Sequence, residues 1–329
     1  MNWSQLDWEV LDRLRETFLS DERRAGPYWH TVTDLECYDL TYGERIGWKW
    51  DAVLRELRRL GWAAPAGATI LDWGCGSGVA GRRVVEYMGA VNVGRLIVHD
   101  HSPLAMDFAL HRVGRSFPGL AAARAAREEL ESDAPIGILV LSHVLNELDE
   151  VAQAHLEQLA RRAAVVLWVE PGTHEVSRAL GAWRGKLGDV FRFAAPCPHA
   201  KACGMFTPGN ERHWCHFFAS PPAEVFADSN WVKFGQRAGI DLRRLPYAYL
   251  AMDRRTELQA PAGQARIVGE PRFYKGYAKL FSCDDGGIRD LTLQKRDAPE
   301  LFRQLKRGES EGLQCWSLRG DRITGLGVD

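Results

Sequence analysis

Ile70-Leu71-Asp72-Trp73-Gly74-Cys75-Gly76-Ser77-Gly78 decides how the rest of the chain is read. An apolar run enters an acidic residue and then three glycines at alternate positions, with a helix-compatible segment, Val79 to Met88, behind them. Glycine adopts positive φ without strain and leaves room for a ligand to lie against the backbone. The helix that follows aims its unpaired N–H groups at the same place. Strand, glycine turn and helix in that order predict a ligand-binding βα unit.

Outward from this stretch the alternation continues, as in a doubly wound parallel sheet. Strands are predicted at Ala68–Asp72, Arg95–Asp100, near Leu120–Ala123, at Gly137–Leu141 and at Ala164–Glu170. Helices are predicted between them. The strands are near-continuous apolar runs, as expected where both faces of a sheet are covered. Before the sheet, Trp3, Leu6, Val10, Leu14 and Phe18 recur at helical steps, as do Trp50, Val53, Leu54, Leu57 and Leu60, which predicts a helical cap. After it, alternation returns at Leu245–Met252 and Tyr277–Cys283. Asp284-Asp285-Gly286-Gly287 then turns into a further strand, and a last one is predicted at Leu313–Leu318.

The Asp-x-Gly-x-Gly-x-Gly pattern resembles motif I of the class I S-adenosylmethionine (SAM) methyltransferases. A nicotinamide-binding domain spaces its glycines G-x-G-x-x-G instead, and Asp72 would stand where a pyrophosphate needs no anion. The resemblance implies that Asp72, Gly74, Gly76 and Gly78 shape the cofactor turn. It also implies that Asp100, at the end of the second strand, accepts from the ribose hydroxyls beside His101, and that His143 after the fourth strand faces the methyl group. Asn146 and Glu147 are the candidate catalytic residues, since either could orient a substrate amine; both could equally cap the next helix.

The 329 residues carry a net charge of −1, 46% hydrophobic and 26% charged residues, which is ordinary for a soluble globular chain. The longest apolar run, Ala163 to Val169, is too short to cross a bilayer, so no membrane partner is expected. With early acidic residues and no signal or transit composition, a cytoplasmic location is expected. Between Trp231 and Leu280, however, ten Lys/Arg face four Asp/Glu, interleaved with seven aromatic residues. That mixture suits either an RNA surface or a solvated face beside a sheet.

Seven cysteines without a secretory signal argue against a disulfide framework. Cys197, Cys203 and Cys215 fall in a Pro- and His-rich stretch that reads as a metal-binding loop, with Cys283 the strongest candidate for a distant fourth ligand. Zinc on four cysteines, or with His199, His213 or His216 replacing one, is one reading of such a loop. Cys37, Cys75 and Cys315 read as packing residues.

Asp72–Gly78, Ser142–Leu148, Val169-Glu170-Pro171-Gly172-Thr173, Cys197-Pro198-His199, Trp214-Cys215-His216-Phe217 and Arg266–Cys283 together resemble a known family. It is the methyltransferase-like family of mitochondrial small ribosomal subunit assembly proteins and their bacterial relatives. The resemblance implies a 4Fe–4S cluster on Cys197, Cys203, Cys215 and Cys283, and association with small-subunit rRNA or the small ribosomal subunit. The expected fold is α/β, a class I SAM-methyltransferase (Rossmann-like) doubly wound sheet. The expected segments are an N-terminal helical cap (1–66), a SAM-binding core (67–188), a Cys-rich metal-binding insertion (189–240), and last core strands with a C-terminal β extension (241–329). The expected function is SAM-dependent methylation of rRNA, or ribosome assembly without turnover, or a zinc-containing methyltransferase with another substrate. No oligomer is implied.

Overall fold

The computed structural model describes residues 2–20, 27–255 and 263–327. The chain divides into two compact units, 1–170 with 219–245 and 171–218 with 246–329.

In the first unit, β1 (Ala68–Trp73), β2 (Val93–His99), β3 (Ala122–Arg124), β4 (Ile136–Ser142) and β5 (Ala163–Pro171) lie in the order β3-β2-β1-β4-β5. Every pairing is parallel. Ile70, Leu96, Ile138 and Leu139 are fully buried, which is why these strands read as unbroken apolar runs. The doubly wound α/β core expected from the sequence is present. The cap is also helical, with helices at Trp8–Leu19, Val32–Tyr38 and Glu44–Arg59. Leu14, Trp29 and Leu35 of the cap share one apolar cluster with Ala105 and Phe108 of the helix Pro103–Ser116. A helix not foreseen from the sequence, Ser229–Ala238, belongs to this unit. Its Trp231 ring packs 4.9 Å from both Trp3 and Trp48.

In the second unit, β6 (Arg192–Ala195) pairs antiparallel with β8 (Leu245–Asp253), and β7 (Phe217–Ala219) also bonds to β8. The expected C-terminal extension closes on itself. Strands β9 (Gln264–Phe273), β10 (Tyr277–Asp284), β11 (Gly287–Gln294), β12 (Leu313–Arg319) and β13 (Arg322–Leu326) form a closed barrel in the order β10-β11-β13-β12-β9. The β11–β13 pair is parallel and the others are antiparallel. The helix Pro299–Arg307, between β11 and β12, sets Leu301, Phe302 and Leu305 against Ile267, Leu280, Leu291 and Leu293 of the barrel interior. No described helix is long and apolar enough to cross a membrane.

Candidate functional site

Two sites follow from these units, one in each. In the first unit, Gly74, Gly76 and Gly78 all have positive φ, at 72°, 50° and 76°. Their reasons differ. A Cβ on Gly74 would stand 2.6 Å from Val144 Cγ1, and one on Gly78 2.8 Å from Ala109 Cβ, so both are packing positions. A Cβ on Gly76 would meet nothing within 4 Å, so its backbone borders open space. Gly76 N–H donates to Asp100 Oδ2 and Ser102 N–H to Asp100 Oδ1, each at 2.9 Å. The Asp100 carboxylate is thereby fixed beside that opening, and each oxygen keeps a lone pair for a further donor. His101 Nδ1 lies 3.7 Å from Asp100 Oδ1.

Asp72 braces the turn from below. Its fully buried carboxylate accepts from Gly81 N–H at 3.0 Å, and a Cβ on Gly81 would collide with the same oxygen. Burial pushes this carboxyl up to about 7, against the pull of the Gly81 N–H. Asp72 Oδ1 and Ser77 Oγ are buried without a hydrogen-bond partner among the described residues. An open glycine edge, an aligned carboxylate and orphaned polar atoms at one turn fit a polar ligand such as SAM.

The turn after β4 is held by a residue that the sequence did not single out. Glu170, fully buried, accepts through one oxygen from Val144 N–H (3.0 Å), Leu145 N–H (3.2 Å) and Trp168 Nε1–H (2.7 Å). His143 adopts φ 57°, the one positive φ outside glycine among the described residues, a strained conformation that its surroundings must enforce. Its Nε2 lies 3.3 Å from Lys49 Nζ of the cap. Burial, with Arg45 adding to it, pushes the Lys49 ammonium down to about 7. Burial and Lys49 hold the His143 imidazole well below its usual range. Glu147 accepts from the Tyr28 hydroxyl at 3.3 Å, and the Tyr28 ring stands edge-on to His101, 6.1 Å away. The cap thus touches both the Asp100–His101 corner and the Asn146–Glu147 turn. The signal for Glu170 was an acid at the end of an apolar strand; Lys49 gave none.

In the second unit, Cys197, Cys203, Cys215 and Cys283 line one cavity. Cys197 follows β6, Cys203 precedes a short helical turn, Cys215 precedes β7, and Cys283 lies on β10 opposite Arg266 of β9. The helix His174–Leu187 organises the loop. Arg184 donates to Cys197 Sγ (3.0 Å) and to the His199 carbonyl (2.8 Å). One nitrogen of Arg178 donates to the carbonyls of Met205, Asn210 and His213. Gly204 has a packing reason too, since a Cβ there would stand 2.8 Å from Ile288 N. His199 Nε2 lies 3.5 Å from Cys283 Sγ, whereas His213 packs tilted against Phe281 and His216 stacks on Trp214.

Burial pushes the thiols of Cys197 and Cys215 up, and that of Cys283 up to about 12, with neighbouring thiols adding at Cys215 and Cys283. Metal binding here would therefore displace protons. Thiolate-held iron–sulfur centres carry net negative charge, and two buried guanidiniums flank this cavity, Arg184 (5% exposed) and Arg266 (4%). That donor set fits such a centre. As they stand, no three His, Cys, Asp or Glu side chains among the described residues are gathered to hold a single ion. Cys37 and Cys75 are buried, and Cys315 lies on β12.

The family described as mitochondrial small ribosomal subunit Rsm22 matches residues 45–310. No curated protein matches the chain. Similar solved structures include magnesium protoporphyrin IX methyltransferase from Synechocystis with bound SAH, at 15% identity over 75% of this chain and 98% of that one, TM-score 0.40. Another is a SAM-dependent methyltransferase from Aquifex aeolicus, at 16% identity over 68% and 99%, TM-score 0.35. A third is the N-methyltransferase NodS from Bradyrhizobium japonicum with S-adenosyl-L-homocysteine, at 14% identity over 61% and 86%, TM-score 0.35.

Proposed function

The chain belongs to the Rsm22 family, and from that premise we propose that it binds SAM at the Gly74–Gly78 turn and acts on the small ribosomal subunit or its rRNA, with a structural 4Fe–4S cluster. The observation that carries the proposal is the convergence of four cysteines on one cavity, the last of them sixty-eight residues beyond the third. Cys197, Cys203, Cys215 and Cys283 would hold the cluster, and Arg184 and Arg266 would offset its charge. When bound, SAM supplies an activated methyl group on a good leaving group. Gly76 would border it, and Asp100 would orient its ribose. We place the protein in the cytoplasm on its composition.

Methyl transfer is tested by incubating anaerobically purified protein with methyl-labelled SAM and undermodified small-subunit RNA. Label in the RNA supports the enzyme. SAM binding without transfer supports the second reading, an assembly factor without turnover, which the engagement of Glu147 by Tyr28 favours. Iron and sulfide in equal amounts support the cluster; stoichiometric zinc in protein prepared the same way removes it.

Gly76→Ala tests the cofactor turn alone. Positive φ costs an alanine about 1–2 kcal/mol, but no protein atom obstructs the new methyl. The variant is expected to fold, with its melting point lowered by a few degrees, and to lose at least about tenfold in SAM affinity by calorimetry, a factor worth about 1.4 kcal/mol. Unchanged affinity would move the cofactor elsewhere.

A further inference from the structure

We propose that the C-terminal barrel binds single-stranded nucleic acid, with Tyr274 and Tyr277 as a stacking platform and the cations around the β9–β10 turn as phosphate contacts. This goes beyond the reading above by giving the RNA contact a place, and it requires neither SAM binding nor methyl transfer.

The barrel runs strand, strand, strand, helix, strand, strand, and closes in the order first, second, third, fifth, fourth. The third and fifth strands are parallel, and the helix seals the interior. That is the topology of the oligonucleotide-binding fold, which takes its ligands on the second and third strands and on the loops joining the first to the second and the fourth to the fifth. Here those are β10, β11, the turn at 274–276 and the turn at 320–321. Both turns lie at one end: Lys295 N–H, just past β11, bonds to the Gly276 carbonyl, and Thr292 N–H bonds to the Asp321 carbonyl.

Topology alone assigns no ligand, so the side chains decide. The far end of this face is occupied, because Cys283 and Ile288 line the cysteine cavity and the His213 ring packs against Phe281. The turn end is open. Tyr274 is 48% exposed and lies parallel to Tyr277, with ring centroids 4.7 Å apart and planes 11° apart. A flat aromatic pair at the edge of a barrel suits an unpaired base, whatever its identity. Arg272, Lys275 and Lys279 lie on the two strands and the turn that carry the pair, and Lys295 N–H bonds to the Gly276 carbonyl of that turn, against the carboxylates of Glu270 and Asp290. Asp290 pairs with both Arg272 and Lys279, and the Arg272 guanidinium lies over the Phe281 ring, 4.9 Å from its centroid. Surplus positive charge around a stacking platform favours a phosphate backbone over an uncharged saccharide. A duplex would hide the base faces that the tyrosines need.

The test is fluorescence anisotropy of the whole anaerobically purified chain. The probes are a labelled single-stranded RNA of about 12 nucleotides, a length within the usual site size, and the same strand annealed to its complement. The single strand is expected to bind more tightly than the duplex. Tyr274→Ala is expected to weaken it about 5- to 150-fold, the range of one lost base stack. Tyr274→Phe should retain affinity, since the ring remains. Lys275→Ala should reduce the slope of log affinity against log salt by about 0.7. Melting points report the fold of each variant, and the exposed Lys275 carries the test should Tyr274→Ala unfold. Absence of binding, a tighter duplex, native affinity in Tyr274→Ala, or displacement of the RNA by a neutral oligosaccharide would each overturn the proposal. SAM affinity and iron content are measured separately, so failure here is distinct from failure of the cofactor or cluster assignments.

Discussion

Glu170→Ala is expected to lose about 3–5 kcal/mol of folding stability, because two backbone N–H groups and the Trp168 indole N–H lose their acceptor in a site closed to water. All three donors converge on one oxygen of a carboxylate with no solvent exposure. The damage is local in kind. Val144 and Leu145 follow the strained His143, so SAM affinity should fall with stability. Urea unfolding of the two proteins measures the first effect and calorimetry the second. A loss under about 1 kcal/mol, the worth of a single ordinary hydrogen bond, would show that Glu170 does not hold the turn.

Glu170→Gln separates shape from charge. The amide keeps an acceptor oxygen but cannot ionise. Burial, opposed by the Trp168, Val144 and Leu145 donors, pushes the Glu170 carboxyl from its ordinary 4.5 up to about 7. The folded chain thus holds this proton more tightly than the unfolded one. The stability it contributes is complete below about pH 4.5 and is lost as the pH rises through about 7. Lys49, the neighbouring cation, is itself pushed down to about 7 and offers the ionised carboxylate little above that. The glutamine variant should therefore gain on the native protein by about 3 kcal/mol between pH 4.5 and neutrality, at about 1.4 kcal/mol per unit. A difference that stays flat across that window would contradict the raised carboxyl.

On the proposed cluster assignment, Cys283→Ser is expected to abolish iron binding. Serine is a poor ligand for thiolate-held iron, so a cluster held by these four positions would lose its fourth ligand. The variant should emerge colourless from an anaerobic preparation, with its visible absorbance lost and iron reduced to background. Cys315→Ser, two strands away across β9 and outside the cavity lining, should keep native iron content. Full iron in Cys283→Ser would transfer the fourth position to another group, with His199 the nearest at 3.5 Å from the sulfur.

How much of this was legible depended on how local each cause is. Four of the five parallel strands were readable because each carries its own burial signal, as in β5, where Val165, Val166, Trp168 and Val169 are all at zero exposure; β3, with no buried residue, was poorly marked. Gly74, Gly76 and Gly78 were readable because three glycines at alternate positions are uncommon. β9 was not, since Gly269 at φ 69° and Pro271 interrupt its alternation, and the pairing with β10 shifts register there. Closure of the barrel was hidden for a different reason, because it depends on Leu313, Gln314 and Cys315 pairing with Gln264–Arg266, nearly fifty residues away. The four cysteines announced themselves by type. Arg184 and Arg266, among forty-two Lys and Arg, did not, since nothing in sequence distinguishes a cation that will be buried beside sulfur.

Arg178 has an evolutionary consequence. One guanidinium nitrogen gathers the carbonyls of residues 205, 210 and 213, so the segment between Cys203 and Cys215 is tied to a helix as well as to itself, where Asn210 Nδ2 donates to the Gly204 carbonyl at 2.8 Å. The exposed tip at Pro208-Gly209 lies between those ties, with Gly209 at φ 94°. Insertions and deletions at that tip leave both flanking cysteines where they are. Descendants of this chain can therefore drift in loop length, and acquire new contacts on the tip, while the spacing of the sulfurs in space is inherited unchanged.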